Sequence, residues 1–214
     1  MGDILDIIKS RRSIRRYKPD DVPDEMINKI MEAGRWSPSG DNAQPWRFIV
    51  VRDPELKKKM GEIAREGSGR RFTAEFHTGR LQERFESLKD PDKRAKAFRK
   101  LRSGDVSSFL ANAPVVIVVC AKLDAWDVPY DSAMATENMM LMATSLGLGS
   151  CCVVAPVSDM RDDIKMMELL KVPHGYKIVA PVAIGYPDES PNPRPRLPLK
   201  EIVYYEEFGE GRVK

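Results

Sequence analysis

Ser37-Pro38-Ser39-Gly40-Asp41-Asn42-Ala43-Gln44-Pro45-Trp46 separates a helical pattern before it from an apolar run, Phe48 to Val51, after it. Two prolines and a glycine forbid a regular helix here, while Ser39, Asn42 and Gln44 supply short polar side chains on a rigid frame. Two readings follow: a loop that holds a flat, hydrogen-bonding ligand, or a plain helix-to-strand connection closed by Asx and Ser turns. A second stretch bears on the choice.

That stretch is Arg11-Arg12-Ser13-Ile14-Arg15-Arg16-Tyr17. If it is extended, side chains alternate, so Arg11, Ser13 and Arg15 share one face while Arg12, Ile14 and Arg16 take the other. Guanidinium forks match phosphate and carboxylate geometry and keep their charge at any ordinary pH. The run reads either as a phosphate cradle or as a solvated, nonspecific polyanion-binding face.

With both stretches in place, the chain resembles the nitroreductase family of FMN-dependent oxidoreductases. The matching pieces are the runs at 11–17 and 37–46, the helix from Asp131 through Asn138 into Gly147-Leu148-Gly149-Ser150, and Arg194-Pro195-Arg196. They follow one another in the family's order, and only the middle, Arg65 to Arg102, carries no family motif. The resemblance implies an α+β fold with a central, mostly antiparallel sheet flanked by helices, in an intertwined homodimer with two FMN sites. It places Arg11, Ser13 and Arg15 along the cofactor, with Arg12 in the same binding run, and brings Arg194 and Arg196 to its phosphate. Pro38, Ser39, Gly40, Asn42 and Gln44 would meet the flavin of the other subunit. The turn at Pro156 and Val157 would lie against the ring, with a backbone N–H aimed at its hydride-accepting nitrogen.

Composition agrees with an enzyme of that kind. A chain of 214 residues suits one domain spanning 1–214, with enough length to bury a core, and 42% hydrophobic with 31% charged residues describes a soluble protein. There is no charged-then-apolar signal pattern, and no apolar run approaches the roughly 20 residues that span a bilayer, so a cytoplasmic protein without a membrane partner is expected. Cys120, Cys151 and Cys152, an odd number in apolar surroundings, read as buried, reduced thiols. With only His77 and His174 and no Cys-x-x-Cys spacing, neither a metal site nor a histidine-dependent nucleophile has much to build on, and the chemistry falls to a cofactor.

In chain order, Ile4, Leu5, Ile7 and Ile8 behind Asp3 predict a short capped helix. Pro23-Asp24-Glu25 opens a second, with Met26, Ile27, Ile30, Met31 and Gly34 on one stripe. Asp53-Pro54 opens a third that faces Leu56, Met60, Ile63 and Ala64 inward and is expected to close at Gly67-Ser68-Gly69. Arg65 to Arg102 holds 12 Lys and Arg against 6 Asp and Glu, an excess of +6 in a chain at +3, so the remainder is net acidic. Phe72, Phe76, Leu81, Phe85 and Leu88, then Ala95, Phe98 and Leu101, predict amphipathic helices there, read either as a lid over the site or as solvated surface. So local a patch does not point to nucleic acid.

Val115 to Cys120 is a β-branched run typical of a strand covered on both faces. The helix from Asp131 to Leu146 is apolar or small nearly all round, so it must be buried on every side, and another subunit is a natural cover. Within it, Asn138 reads as a core amide or a polar contact. Cys151 to Ala155 and Tyr176 to Ile184 read as further strands, with Ser158 capping a helix that turns Met160, Ile164, Met167 and Leu170 inward. The proline-rich tail is expected to cross a surface, and Ile202 to Tyr205 to add a strand at a sheet edge.

The expected reaction takes hydride from NADH or NADPH and reduces a small oxidised acceptor, a nitroaromatic, quinone, enone or flavin, by a ping-pong mechanism. Arg15 is the candidate to stabilise negative charge on the reduced ring. No catalytic side chain is required, since protons can come from water. The alternatives are a nicotinamide-independent branch of the family, flavin-destroying or dehalogenating, and a non-enzymatic polyanion-binding protein.

Overall fold

Val115–Lys122 (β2) forms the centre of the computed structural model, which describes residues 3–209. It lies between Trp46–Val51 (β1) and Tyr176–Gly185 (β4), and Gly149–Cys152 (β3) closes the far edge. The order is β1-β2-β4-β3 with every pair antiparallel, as the α+β reading requires. Side chains alternate across the sheet, so β2 feeds two cores. Val115, Ile117 and Val119 pack with Val182 and Ile184 against Ile27 and Ile30 of Asp24–Arg35 (α2) and Met139 and Ala143 of Val128–Ser145 (α6). Val116, Val118 and Cys120 pack the other way, against Met60 and Ala64 of Pro54–His77 (α3), Phe109, Leu110 and Met166 of Met160–Leu169 (α7). Val115 through Ala121 are all buried, and each Val or Ile so covered contributes roughly 1.5–3 kcal/mol.

Local signals set several helix ends. Asp3 accepts from the Leu5 amide to start Ile4–Ser10 (α1), and Asp53 accepts from the Leu56 amide to start α3. Gly34 lets α2 lie close to the sheet and α6, since a Cβ there would stand 2.8 Å from Met139 Cγ and 3.0 Å from Phe48 Cζ.

Other ends depart from expectation. Helix α3 runs through Gly67-Ser68-Gly69 to His77, a length of 24 residues. Those small residues serve close packing instead of termination: a Cβ on Gly67 would lie 2.5 Å from the Ala155 carbonyl oxygen, and Ser68 hydrogen-bonds Ser107. Asp159, and not Ser158, caps α7 by accepting from the Arg161 amide at 2.9 Å, while the Ser158 hydroxyl donates back to the Val154 carbonyl. This phase leaves Met160 and Ile164 exposed and turns Asp162 and Met166 inward. The strand expected from Cys151 to Ala155 stops at Cys152, and Ala155–Val157 forms a 3-10 turn. Of the strand expected at Ile202 to Tyr205 only a bridge at Tyr204 forms, after the single turn Leu199–Ile202, where the Pro198 carbonyl accepts from the Glu201 amide at 2.9 Å. Among the described residues no helix is long and apolar enough to cross a membrane.

The middle segment is α-helical, continuing α3 into Arg80–Arg84 (α4) and Pro91–Arg102 (α5). Phe98 meets Phe76 and Phe85 edge-on at 5.7 and 5.8 Å, over the buried Leu81. Part of its positive charge is already paired: Arg71 and Arg84 both bond Glu75, and Arg70 bonds both oxygens of Asp162. Asp162 is 0% exposed, so this pair fastens α3 to α7 in a place where an unpaired carboxylate is costly. Because Arg70 itself is 35% exposed, screening discounts the effect, and Arg70→Met is expected to destabilise the fold by about 2–3 kcal/mol. Adding Asp162→Asn should recover most of that loss in urea unfolding. A double variant as unstable as Arg70→Met would show that the buried charge is not the cause.

Candidate active site

The arginine run is extended and lies along the free edge of β3. The Ile14 amide donates to the Ser150 carbonyl at 3.0 Å, Ser13 bridges Ser150, and Tyr17 bridges Pro187 at the start of the tail. Ile14 is the buried residue of the run and packs so closely on Gly149 that a Cβ there would come within 2.7 Å of it. Anchoring at Ile14 sets the alternation. Arg11 points to α6, where its Nε stands 3.3 Å from Glu137 Oε1, and Arg15 lies 5.9 Å from the Phe109 ring centroid. Ser13 hydrogen-bonds the Cys151 thiol, whose proton affinity burial raises while Arg15, Ser13 and Arg11 pull it down. Arg12 is turned away: its guanidinium donates to the Lys9 and Arg11 carbonyls, at 2.6 and 2.8 Å, and tethers the end of α1.

Glu189, which sequence reasoning passed over, fixes the backbone of the run. Its carboxylate accepts from the Arg15 and Arg16 amides at 2.5 and 3.2 Å. The adjacent acids Asp188 and Glu189 among the prolines of the tail were the available signal. The Tyr17 hydroxyl adds a bond to the Ile14 carbonyl at 2.6 Å, and burial raises its pKa. One donor beside this edge is left over, the buried Ser150 Oγ, which has no hydrogen-bond partner, while Arg11 Nε makes no hydrogen bond beyond its ion pair to Glu137. Arg194 and Arg196 of the tail are both exposed, and the Arg196 guanidinium donates to carbonyls of its own segment. No hydrogen bond or ion pair joins either to the run among the described residues.

Burial and chemistry make the neighbouring thiols inert. Cys120 and Cys151 are buried and Cys152 is partly so, none in a disulfide, and burial pushes the Cys120 and Cys152 thiols up to about 11. The turn Ala155–Val157 follows β3 by three residues, with Pro156 buried, the Val157 amide donating to the Val154 carbonyl, and Gly67 of α3 pressed against Ala155. The turn therefore sits against α3, with Ala155 and Val157 packed on the core that α3 and α7 share. Along α3 a groove of about 550 Å³ passes Arg65, Arg70, Thr73 and His77.

The Ser37–Trp46 loop is elsewhere, at the amino-terminal half of α6. Asn138 donates to Ser37 Oγ at 2.8 Å, so this amide is a polar contact, and the Gly40 amide donates to Asp131 Oδ1 at 3.3 Å. Pro38, Ser39, Gly40, Asn42 and Gln44 make no hydrogen bond or ion pair with the arginine run among the described residues. Helix α6 stands between the two groups, holding Arg11 through Glu137 and the loop through Asp131 and Asn138. A cleft of about 610 Å³ opens beside Gln44, Trp46, Asn28 and Glu32. The outward face of α6 carries Tyr130 at 72% exposure and Met134 at 40%, next to Trp126 at 96%.

Comparisons with known proteins bear on the family and the fold. The sequence profile described as the nitroreductase family matches residues 8–186. A protein of Archaeoglobus fulgidus, which carries the provisional name NADH dehydrogenase/NAD(P)H nitroreductase, is 33% identical over 195 residues, covering 88% of each chain. Among solved structures, an oxidised iodotyrosine deiodinase bound to FMN and 3-iodo-L-tyrosine superposes with a TM-score of 0.78 at 27% identity, over 96% of this chain and all of the other. An FMN-dependent nitroreductase of Clostridium difficile R20291 gives 0.72 at 28% identity, over 95% and 99%. With a matching profile over most of its length, on the fold its sequence implied, this chain belongs to the nitroreductase family of oxidoreductases.

Proposed function

We propose that the chain is an FMN-dependent oxidoreductase that transfers hydride from NADH or NADPH to a small oxidised acceptor, the two substrates taking turns in one cleft. The observation that carries this reading is the run Arg11, Ser13 and Arg15 laid along β3 beside the buried Ser150 Oγ, a donor left without a hydrogen-bond partner. A donor set of guanidinium, hydroxyl and backbone amide fits a ligand with a phosphate, a polyol chain and a hydrogen-bonding ring edge.

When bound, FMN would supply the hydride chemistry that no side chain here offers. Arg11, Ser13 and Arg15 would hold it along the β3 edge, with Arg12 securing the run through α1 and Arg194 and Arg196 closing on the phosphate. Arg15 is fixed through its backbone by Glu189, so its charge stands ready to stabilise an anion on the ring. Pro156 and Val157 would bound the ring face, with protons drawn from solvent. Pro38, Ser39, Gly40, Asn42 and Gln44, separated from the run by α6, would serve the flavin of a second subunit. The apolar surface of α6 at Tyr130 and Met134 supports such a homodimer.

The similarity to a deiodinase that binds 3-iodo-L-tyrosine supports a second reading, reductive dehalogenation at the same site without nicotinamide. The visible spectrum separates the two. Purified protein should be yellow with noncovalent FMN, and anaerobic NADH or NADPH should bleach it. Colour that persists with both donors but is lost with a chemical reductant favours the dehalogenating branch, and a colourless protein that takes up no FMN removes both. Arg11→Ala and Arg15→Ala each delete a charge-assisted bond worth about 1.5–3 kcal/mol, so FMN affinity should fall roughly ten-fold to over a hundred-fold.

We further propose that the helices over 65–102 act as a lid that shapes the acceptor cleft. The aromatic cluster and the Glu75 ion pairs support an ordered cover in place of a loose solvated excursion. Replacing Arg71, Glu75 and Arg84 together should change kcat/KM for at least one acceptor while FMN affinity stays near wild type. Unaltered kinetics for every acceptor would return the segment to plain surface.

A further inference from the structure

We infer that Asp131, in the first turn of α6, is a positioning residue that sets the conformation of the 39–44 loop and through it the hold on FMN, with Asn138 as a second tether; this rests on the flavin site proposed above. The loop is strained. Asp41, Asn42 and Gln44 have φ of 50°, 53° and 46°, and none is a glycine. Asp and Asn tolerate left-handed backbone better than most side chains, but Gln does not, and three such residues within four positions persist only where surroundings impose them. Within the loop, Ser39 Oγ accepts from the Gln44 amide at 3.0 Å, and Gln44 donates to Asn42 at 3.2 Å. These bonds tie the loop to itself and do not fix it to the rest of the fold.

Asp131 and Asn138 do. Asp131 is 2% exposed, and its Oδ1 accepts the Gly40 amide at 3.3 Å, while Asn138, two turns further along α6, donates to Ser37 Oγ at 2.8 Å. A carboxylate is a costly choice for a buried helix position, where an apolar side chain would pack as well. What it provides is an acceptor for an amide that the loop cannot satisfy internally, in a charge-assisted bond. Approach is close on this side: a Cβ on Gly40 would stand 2.8 Å from Asp127 Oδ2. The second oxygen of Asp131 has no partner, so Gly40 is the contact that accounts for the residue. Without the tether the strained conformer becomes one of several. FMN would then have to select it, and its apparent affinity falls by the fraction that remains competent.

The test compares FMN release from the holoprotein, followed by recovery of flavin fluorescence after dilution, for wild type, Asp131→Ala and Asp131→Asn. Asparagine keeps an acceptor at the same place and alanine removes it. Hydrogen exchange of peptides covering 38–45 and β2 reports whether the loop alone has loosened. The expected result is release about ten-fold faster or more in Asp131→Ala, with faster exchange at 38–45 and none at β2, and release within about three-fold of wild type in Asp131→Asn. A folded Asp131→Ala with wild-type release, or equal loss in both variants, overturns the inference. If alanine prevents folding, Asn138→Leu decides: faster release supports the tether and an unchanged rate overturns it. Wild-type protein that holds no FMN would instead overturn the flavin site itself, a separable outcome.

Discussion

Strand β2 hides seven consecutive side chains, Val115 to Ala121, alternately in two cores, and the rest of the architecture answers that demand. A strand with no wet face needs neighbours on both edges and helices on both sides. β1 and β4 supply the edges. On one side α2 and α6 cover Val115, Ile117 and Val119; on the other α3 and α7 cover Val116, Val118 and Cys120. Only after these positions are filled does an edge remain open at β3, and the arginine run occupies it through Ile14 and Ser13. The proposed site is thus where the sheet runs out of strands.

Helix α6 ties that edge to the loop on its other side. Packed on the sheet by Met139 and Ala143, it offers Glu137 to Arg11 and Asp131 and Asn138 to the loop, so that one rigid rod positions both sets of candidate groups. Neither set alone surrounds a flat cofactor. A second copy presenting its loop to this run would complete the enclosure, and the exposed Tyr130 and Met134 on the same rod would be covered in the process.

Much of this was legible in residues that act locally. The β-branched run announced β2, Asp3 and Asp53 announced their caps, and alternation predicted that Arg11, Ser13 and Arg15 part from Arg12. What stayed hidden depends on partners distant in sequence. Gly67 looks like a helix end until Ala155 is packed against it, and the inward turn of Asp162 makes sense only once Arg70 arrives from α3. Glu189 acquires a purpose when the tail returns to Arg15. Asp41 and Asn42 are of the kind that tolerates left-handed backbone and so gave a partial sign, whereas Gln44 gave none.

The central claim is that each flavin site draws its arginines from one chain and its loop from another, and hybrid dimers test it most directly. One chain would carry Arg11→Ala with Arg15→Ala, the other Ser39→Ala with Asn42→Ala, on different affinity tags so that the mixed dimer can be isolated after joint refolding. Each homodimer should be nearly free of FMN. In the mixed dimer one site collects all four substitutions while the other is wild type, so the account predicts one tightly held FMN per dimer, reducible by NADH or NADPH. A mixed dimer as empty as its parents, or a protein that binds FMN fully as a monomer, would contradict it.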